Sequence, residues 1–286
     1  MASDTRDYIG PYRLLRQIRS AKTTQIWEAM NSTDNRRVAI KVLRKDYAKD
    51  RSELASMRHE FDVGSALDHP AVNRVHLFDN SRDLPYVVMD YFRGCNLKQA
   101  MREKREMVDD QLPHIVDQCA AGLGHMHEQG WVHRDVKPDN FLVNDQAEVK
   151  LIDFAIAMKP KKGLGKLFGG KTAVQGTRSY MAPEQIRGGA PDIRSDIYSL
   201  GCTFFELATG KPPFTGSTAD DLLTKHLRVT APAASSLVDH ISSEFSLLIA
   251  KMMAKRLDQR PQCVADLQAE LEQLRVLKPG LGNVAS

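Results

Sequence analysis

HRDVKPDN, residues 133–140, is the stretch from which the rest of this chain can be read. It sets a carboxylate at Asp135, an ammonium at Lys137 and a carboxamide at Asn140 between a long, one-sidedly apolar segment and the strand-like run FLVND. Phosphoryl transfer to a hydroxyl calls for this set: a group to orient the nucleophile, a cation to neutralise the transferring group, and oxygen ligands for a hard metal ion. Further on, EVKLID pairs as a hairpin with FLVND and ends on Asp153 in LIDFA, a second oxygen ligand.

Upstream, DDQLPHIVDQCAAGLGHMHEQG carries Leu112, Ile115, Val116, Cys119, Leu123 and Met126 on one face, with Gly130 at the C-cap, and predicts one long helix. Up to Phe92 the runs YRLLRQI, QIWEAMN and RRVAIKVL read as strands of a small antiparallel sheet. SELASMRHEFDVGSAL follows as a helix, with Leu54, Met57, Phe61 and Leu67 near helical spacing, and HLFDN and PYVVMDYF return to strand. After Gly94 the pattern is mostly helical, through SDIYSLGCTFFELATG to VADLQAELEQLRVL and a Pro/Gly tail expected to be mobile. A small β-rich lobe therefore precedes a larger helical one.

At 286 residues, with 42% hydrophobic and 27% charged, the chain can bury a substantial core, which excludes disorder and a disulfide-dependent mini-protein. Its 40 Lys+Arg against 36 Asp+Glu leave a net charge of +4, too weak a basicity to indicate nucleic acid. Cys95, Cys119, Cys202 and Cys263 are dispersed, without zinc-ligand spacing, and read as reduced thiols of a cytoplasmic protein. The N-terminus is acidic and polar, and no apolar run approaches the about 18 residues of a membrane span, so no signal peptide or membrane span is expected.

Several motifs in order carry a resemblance: VAIK (Val38 to Lys41), HRDVKPDN, DFA (Asp153 to Ala155), GTRSYMAPE (Gly176 to Glu184), SDIYSLG (Ser195 to Gly201) and Arg260 in DQRP. With them the chain resembles a eukaryotic-type (Hanks-type) serine/threonine protein kinase, with wording similar to bacterial members. VAIK alone would equally fit a buried strand with a snorkelling lysine; the ordered set is what makes the resemblance specific. It implies an α+β, bilobal protein kinase fold over residues 12–274, with an N-lobe of about 12–92, a C-lobe of about 93–274 and flexible termini at 1–11 and 275–286. The implied activity is ATP- and Mg²⁺-dependent phosphorylation of serine and threonine hydroxyls on a protein substrate.

The resemblance also implies roles for individual residues. Lys41 would contact the α/β-phosphates and pair with Glu60; Asp135 would accept or orient the substrate proton; Lys137 would neutralise the γ-phosphate; Asn140 and Asp153 would hold Mg²⁺. Met89 would line the back of the adenine pocket, with Asp90 to Phe92 as the hinge. Ile18, Ile26, Ala39 and Leu142 would enclose the nucleotide, and Asn96 would stand near the ribose. His133 and Arg134 would be structural, Arg134 also available to a phosphate on the activation segment. Glu184 and Arg260 would form a buried ion pair, and Thr177 would hydrogen-bond Asp135 and Lys137 at the acceptor site.

Three departures leave an alternative open, a nucleotide-binding pseudokinase acting as a scaffold. The phosphate-covering loop, Ile18 to Ile26, has no glycine and should be stiffer and further from the nucleotide. Ala155 replaces the third-position glycine of DFG, and Gly64 stands where an apolar side chain usually packs on Phe154, a gap expected to loosen the helix of Glu60. Between Asp153 and Glu184 lie six bases and no acid: Lys159, Lys161, Lys162, Lys166, Lys171 and Arg178. With four glycines ahead of it, Thr172 is the candidate regulatory phosphosite in a segment expected to be mobile when unmodified.

Overall fold

The computed structural model describes residues 8–81, 84–160 and 175–279. The chain divides into two compact units: Met1–Arg93 with Asp153–Ala155, and Gly94–Ile152 with Ile156–Ser286.

The first unit is built on β1 (Tyr8–Ile9), β2 (Tyr12–Ser20), β3 (Thr24–Asn31), β4 (Arg37–Leu43), β5 (Val75–Asp79) and β6 (Tyr86–Asp90). They form one antiparallel sheet in the order β1-β2-β3-β4-β6-β5. The two-residue alternation of a strand splits RVAIKVL between two faces. Ile40 and Val42 join Ile9, Tyr12, Ala29, Tyr86 and Val88 in a buried cluster on one side, while Ala39, Lys41 and Leu43 point to the other. Helix α1 (Arg51–Gly64) starts at Asp50, whose carboxylate accepts from the Ser52 and Glu53 amides at 2.8 and 3.3 Å. Met57, Glu60, Val63 and Gly64 fall on its buried side, so helical spacing alone carries a glutamate into the interior.

Of the residues 1–11 expected to be flexible, 1–7 lie outside the described residues, while Tyr8–Ile9 pairs with Arg13–Tyr12 and buries Ile9. Gly10 makes this turn at φ +58°, where an added Cβ would lie 2.5 Å from the Tyr86 hydroxyl oxygen.

The second unit holds a small sheet of β7 (Cys95–Asn96), β8 (Phe141–Val143) and β9 (Val149–Leu151) among helices. These are α2 (Leu97–Glu103), α3 (Arg105–Asp110), α4 (Leu112–Glu128), α5 (Pro183–Ile186), α6 (Ile193–Thr209), α7 (Ala219–Arg228), α8 (Ser243–Met252) and α9 (Val264–Gln273). The helix expected to run unbroken from Asp109 is interrupted at Gln111; Pro113, which has no amide to donate, sits in the first turn of α4. Helix α6 is buried along nearly its whole length and packs against α3, α4, α5 and α8. Arg260 donates to both oxygens of Glu184 at 2.8 and 3.0 Å, its guanidinium further satisfied by the Ala254 and Arg194 carbonyls. The tail expected to be free from residue 275 is instead tied down through Lys278. Ser242 donates its amide to the Val276 carbonyl at 3.1 Å, and Lys278 donates to His240 at 2.9 Å.

His226 on α7 is fully buried, its Nδ1 2.9 Å from the Tyr198 hydroxyl and its ring edge-on to Phe214. Burial, then the nearby Lys255 charge, push its pKa down to about 4, the Ser179 backbone opposing in part. The unfolded chain therefore binds a proton at this site between pH 6.5 and 4 that the folded chain refuses. Stability from this group is full above pH 6.5 and falls as the pH drops towards 4, by an amount on the order of 3 kcal/mol. Denaturant unfolding of wild type and His226→Gln from pH 7 to 4 should show the steeper loss in wild type; parallel curves would exclude the assignment.

Candidate active site

In the first unit, β4 and α1 bring an ammonium and a carboxylate together across the interior. Lys41 Nζ donates to Glu60 Oε2 at 2.5 Å, both side chains largely withdrawn from water. Burial alone would neutralise the lysine, but the charges of Glu60 and then Asp153 outweigh it and raise the Lys41 pKa. The same burial, with Asp153 adding to it and Lys41 opposing, pushes Glu60 upwards. One ammonium thus stands with two carboxylates in a desolvated setting, with Arg19 as a weaker positive influence.

The register of the sheet sets further residues beside this pair. Ile26 lies directly opposite Lys41, and Ala39 opposite Met89, so Ile26, Ala39, Lys41 and Met89 share one face. Asp90 is fixed at its backbone: its amide donates to the Arg74 carbonyl at 2.9 Å and its carbonyl accepts from Asn73 Nδ2 at 3.2 Å. Phe92 is half-buried just beyond it. Ile18 is the extra residue where the β2–β3 register slips between Gln17 and Arg19, and the bulge leaves it exposed. The glycine-free loop closes as a tight turn, the Ala21 amide donating to the Thr24 carbonyl at 2.8 Å, with no left-handed residue in it.

The gap expected at Gly64 is not there. Gly64 is buried, and an added Cβ would lie 2.5 Å from Val75 Cγ2 and 3.1 Å from Phe154 Cδ2. Val75 and Phe154 have closed over the position, so the missing side chain lets them pack onto α1 one turn from Glu60.

In the second unit the 133–140 loop gathers its polar groups around Asp135. Asp135 Oδ1 accepts from the amide and the hydroxyl of Thr177, both at 2.8 Å; Oδ2 accepts from Lys137 Nζ at 2.5 Å and from Asn140 Nδ2 at 3.3 Å. Lys137 Nζ also donates to Thr177 Oγ1 at 2.7 Å. Gly176, at φ +118°, lets this segment approach: a Cβ there would stand 2.9 Å from the Arg134 carbonyl oxygen. Asn96 pairs with Leu142 in the β7–β8 ladder, and its Oδ1 accepts from the Gln99 amide at 2.8 Å to cap α2.

A magnesium ion taken up with a nucleotide needs oxygen ligands from the protein, and those present suit it. The Asn140 amide nitrogen donates to the Asp135 carbonyl at 2.8 Å, which reserves its Oδ1 as an acceptor. Asp153, just beyond β9 and at φ +68°, supplies a carboxylate whose charge acts on both Lys41 and Glu60. Among the described residues no group of three or more His, Cys, Asp or Glu side chains could hold a metal unaided.

Asp196 was not singled out from the sequence, yet it anchors the loop. Its side chain is buried in α6; Oδ2 accepts from the His133 amide at 2.7 Å and meets His127 Nε2 at 2.9 Å, and Oδ1 accepts from the Arg134 amide at 2.8 Å. Two acids, Asp196 and Glu206, inside the largely apolar SDIYSLGCTFFELA were the available signal. His133 is fully buried, with Nε2 3.2 Å from the Ile152 carbonyl and Nδ1 accepting from the Asp135 amide at 3.3 Å. Arg134, at φ +71°, donates to the Ile156 carbonyl and to the Met158 sulfur. Thr172, with Lys161, Lys162, Lys166 and Lys171, lies outside the described residues.

Residues 12–271 match the model of the protein kinase domain. The chain belongs to the protein kinase family. It is 35% identical over 243 residues to the serine/threonine-protein kinase PknB of Mycobacterium tuberculosis, covering 83% of this chain and 38% of that protein. It is 32% identical over 263 residues to the serine/threonine-protein kinase PrkC of Bacillus subtilis, covering 92% of this chain and 40% of that protein. A probable serine/threonine-protein kinase of Streptomyces coelicolor, SCO3848, is 32% identical over 269 residues, 92% of this chain and 40% of its own length. The kinase domain thus spans about 40% of the length of these bacterial relatives. No helix among the described residues is long and apolar enough to cross a membrane.

The packing at Gly64 gives a test of this kinase's first unit. Gly64→Leu should overpack the Val75–Phe154 contact and displace Glu60 from Lys41, costing about 1–3 kcal/mol in denaturant unfolding and more than about tenfold in phosphoryl transfer. An active, equally stable variant would mean that the close packing does not hold Glu60 in place.

Proposed function

We propose that this kinase transfers the γ-phosphoryl group of ATP to serine and threonine hydroxyls of proteins. The observation that carries the reading is the Asp135 carboxylate, held at once by Lys137, Asn140 and the acceptor-segment Thr177. Asp135 orients the incoming hydroxyl and takes its proton as the new phosphorus–oxygen bond forms and the bond from the γ-phosphorus to the β,γ-bridging oxygen breaks, the electron pair leaving with ADP. Lys137, already bonded to both Asp135 and Thr177, lends its charge to the transferring oxygens. Lys41, kept protonated by two carboxylates, binds the α- and β-phosphates, and Ile26, Ala39 and Met89 offer the base an apolar surface.

Asn140 and Asp153 are the residues that would hold Mg²⁺, which when bound neutralises phosphate charge. The carboxylate chemistry of Asp153 and the acceptor oxygen left on Asn140 support a cation there. Thr177, whose hydroxyl reaches both Asp135 and Lys137, shapes the place of the acceptor side chain. The Ser/Thr assignment is supported by Lys137 at this position and by the names of the bacterial relatives. The protein substrate and a cytoplasmic site of action belong to the same reading, the latter supported by four unpaired cysteines.

Transfer of labelled γ-phosphate to a serine peptide should fall by at least about a hundredfold in Asp135→Asn, with nucleotide affinity little changed. Wild type as inactive as the variant, with ATP still bound by both, would overturn the activity and favour a nucleotide-binding scaffold.

A further inference from the structure

Glu206 lies in the penultimate turn of α6 with its side chain 2% exposed, and a carboxylate withdrawn from water in this way is tolerated only with partners. Its two oxygens are divided between two residues far apart in sequence. Oε2 accepts from the Tyr180 hydroxyl at 2.5 Å, and Oε1 is paired with Lys98 Nζ. Lys98 Nζ also approaches the Tyr180 hydroxyl at 3.5 Å, closing a triangle of ammonium, phenol and carboxylate.

Each corner of this triangle leads somewhere different. Glu206 belongs to the buried helix whose Asp196 anchors the 133–140 loop. Tyr180 closes the 178–180 turn, its amide donating to the Thr177 carbonyl at 3.0 Å, and Thr177 is the residue bonded to Asp135 and Lys137. The Tyr180 backbone is tied to α6 as well, its carbonyl accepting from Ser199 Oγ at 2.7 Å. Burial, then the charge of Glu206, push the Tyr180 phenol well above its ordinary range, so it stays a donor throughout the physiological range. Lys98 stands on α2, which packs against the Pro138–Asn140 turn, and its side chain is 45% exposed. It is the single cation on Glu206 among the described bonds, and it can be changed without opening a hole in the core.

We propose that Lys98 is a positioning residue for the acceptor: by neutralising Glu206 it lets Tyr180 hold the Thr177–Tyr180 turn, and so Thr177, against Asp135. The inference rests on the proposed kinase activity. Without the ammonium, Glu206 would keep a buried charge answered by one phenol, and drawing water to it would loosen that turn. The effect falls on the acceptor peptide, because the bonds of Tyr180 lead to Thr177, the residue beside the acceptor side chain.

The test uses the full chain with ATP and a series of serine and threonine peptides. Lys98→Met should raise the peptide KM by about tenfold, the worth of one charge-assisted hydrogen bond, while the KM for ATP and peptide-independent ATP hydrolysis stay within about twofold. Lys98→Arg should restore the peptide KM to within about threefold, since the cation is kept. Lys98→Met combined with Glu206→Gln should restore it too, because a neutral carboxamide still accepts from Tyr180 and needs no cation. Should Lys98→Met not fold, Tyr180→Phe, which removes only the hydroxyl, is expected to give the same split. An unchanged peptide KM, a parallel loss of ATP hydrolysis, or a double variant as impaired as Lys98→Met would each overturn the inference in an active enzyme. A wild-type chain that transfers phosphate to no peptide would instead refute the activity on which it rests.

Discussion

A carboxylate buried in the first turn of α6 organises this chain's second unit. Asp196 takes both consecutive amides of His133 and Arg134, and His127 completes its shell. Two backbone donors on one carboxylate fix the loop's direction as well as its position, since the bonds to Oδ1 and Oδ2 cannot both survive a rotation. The loop pays with a left-handed Arg134, a strain that an ungrounded segment would shed. Asp135 follows directly, and the distances around it depend on that anchor.

The first unit solves a different electrostatic problem. Helical periodicity buries Glu60, strand alternation turns Lys41 towards it, and each makes the other's burial tolerable. Asp153 upsets the balance by adding a second carboxylate. Close packing supports this arrangement: Val75 and Phe154 occupy the space left by Gly64, so a small residue tightens the helix rather than loosening it.

Much of this was legible in the residues. Asp135, Lys137 and Asn140 could be named from the chemistry of one contiguous motif, whereas Lys41 and its pairing with Glu60 came from the family resemblance, and the structure forms that pair. The Glu184–Arg260 pair followed from family resemblance, and the structure forms it. Asp196 could have been noticed, since an acid inside an apolar helix is anomalous. Glu206, an acid in the same helix, carried the same signal, but its link to Lys98 and Tyr180 could not have been read: Tyr180 and Glu206 stand 82 and 108 residues from Lys98 along the chain. The break at Gln111 was missed because the apolar periodicity continues across it while the backbone does not.

By itself the sequence determined which groups are available and on which face of its own helix or strand each one lies, because residue chemistry and backbone periodicity are local. The tertiary structure decided which of them meet and which charges are answered. It turned Gly64 from an apparent gap into a close contact, and it tied down Tyr8–Ile9 and the chain at Val276 and Lys278, where composition suggested freedom. Contacts between distant segments depend on how elements pack, and the 3.6- and two-residue periods of a single segment carry no record of its partner.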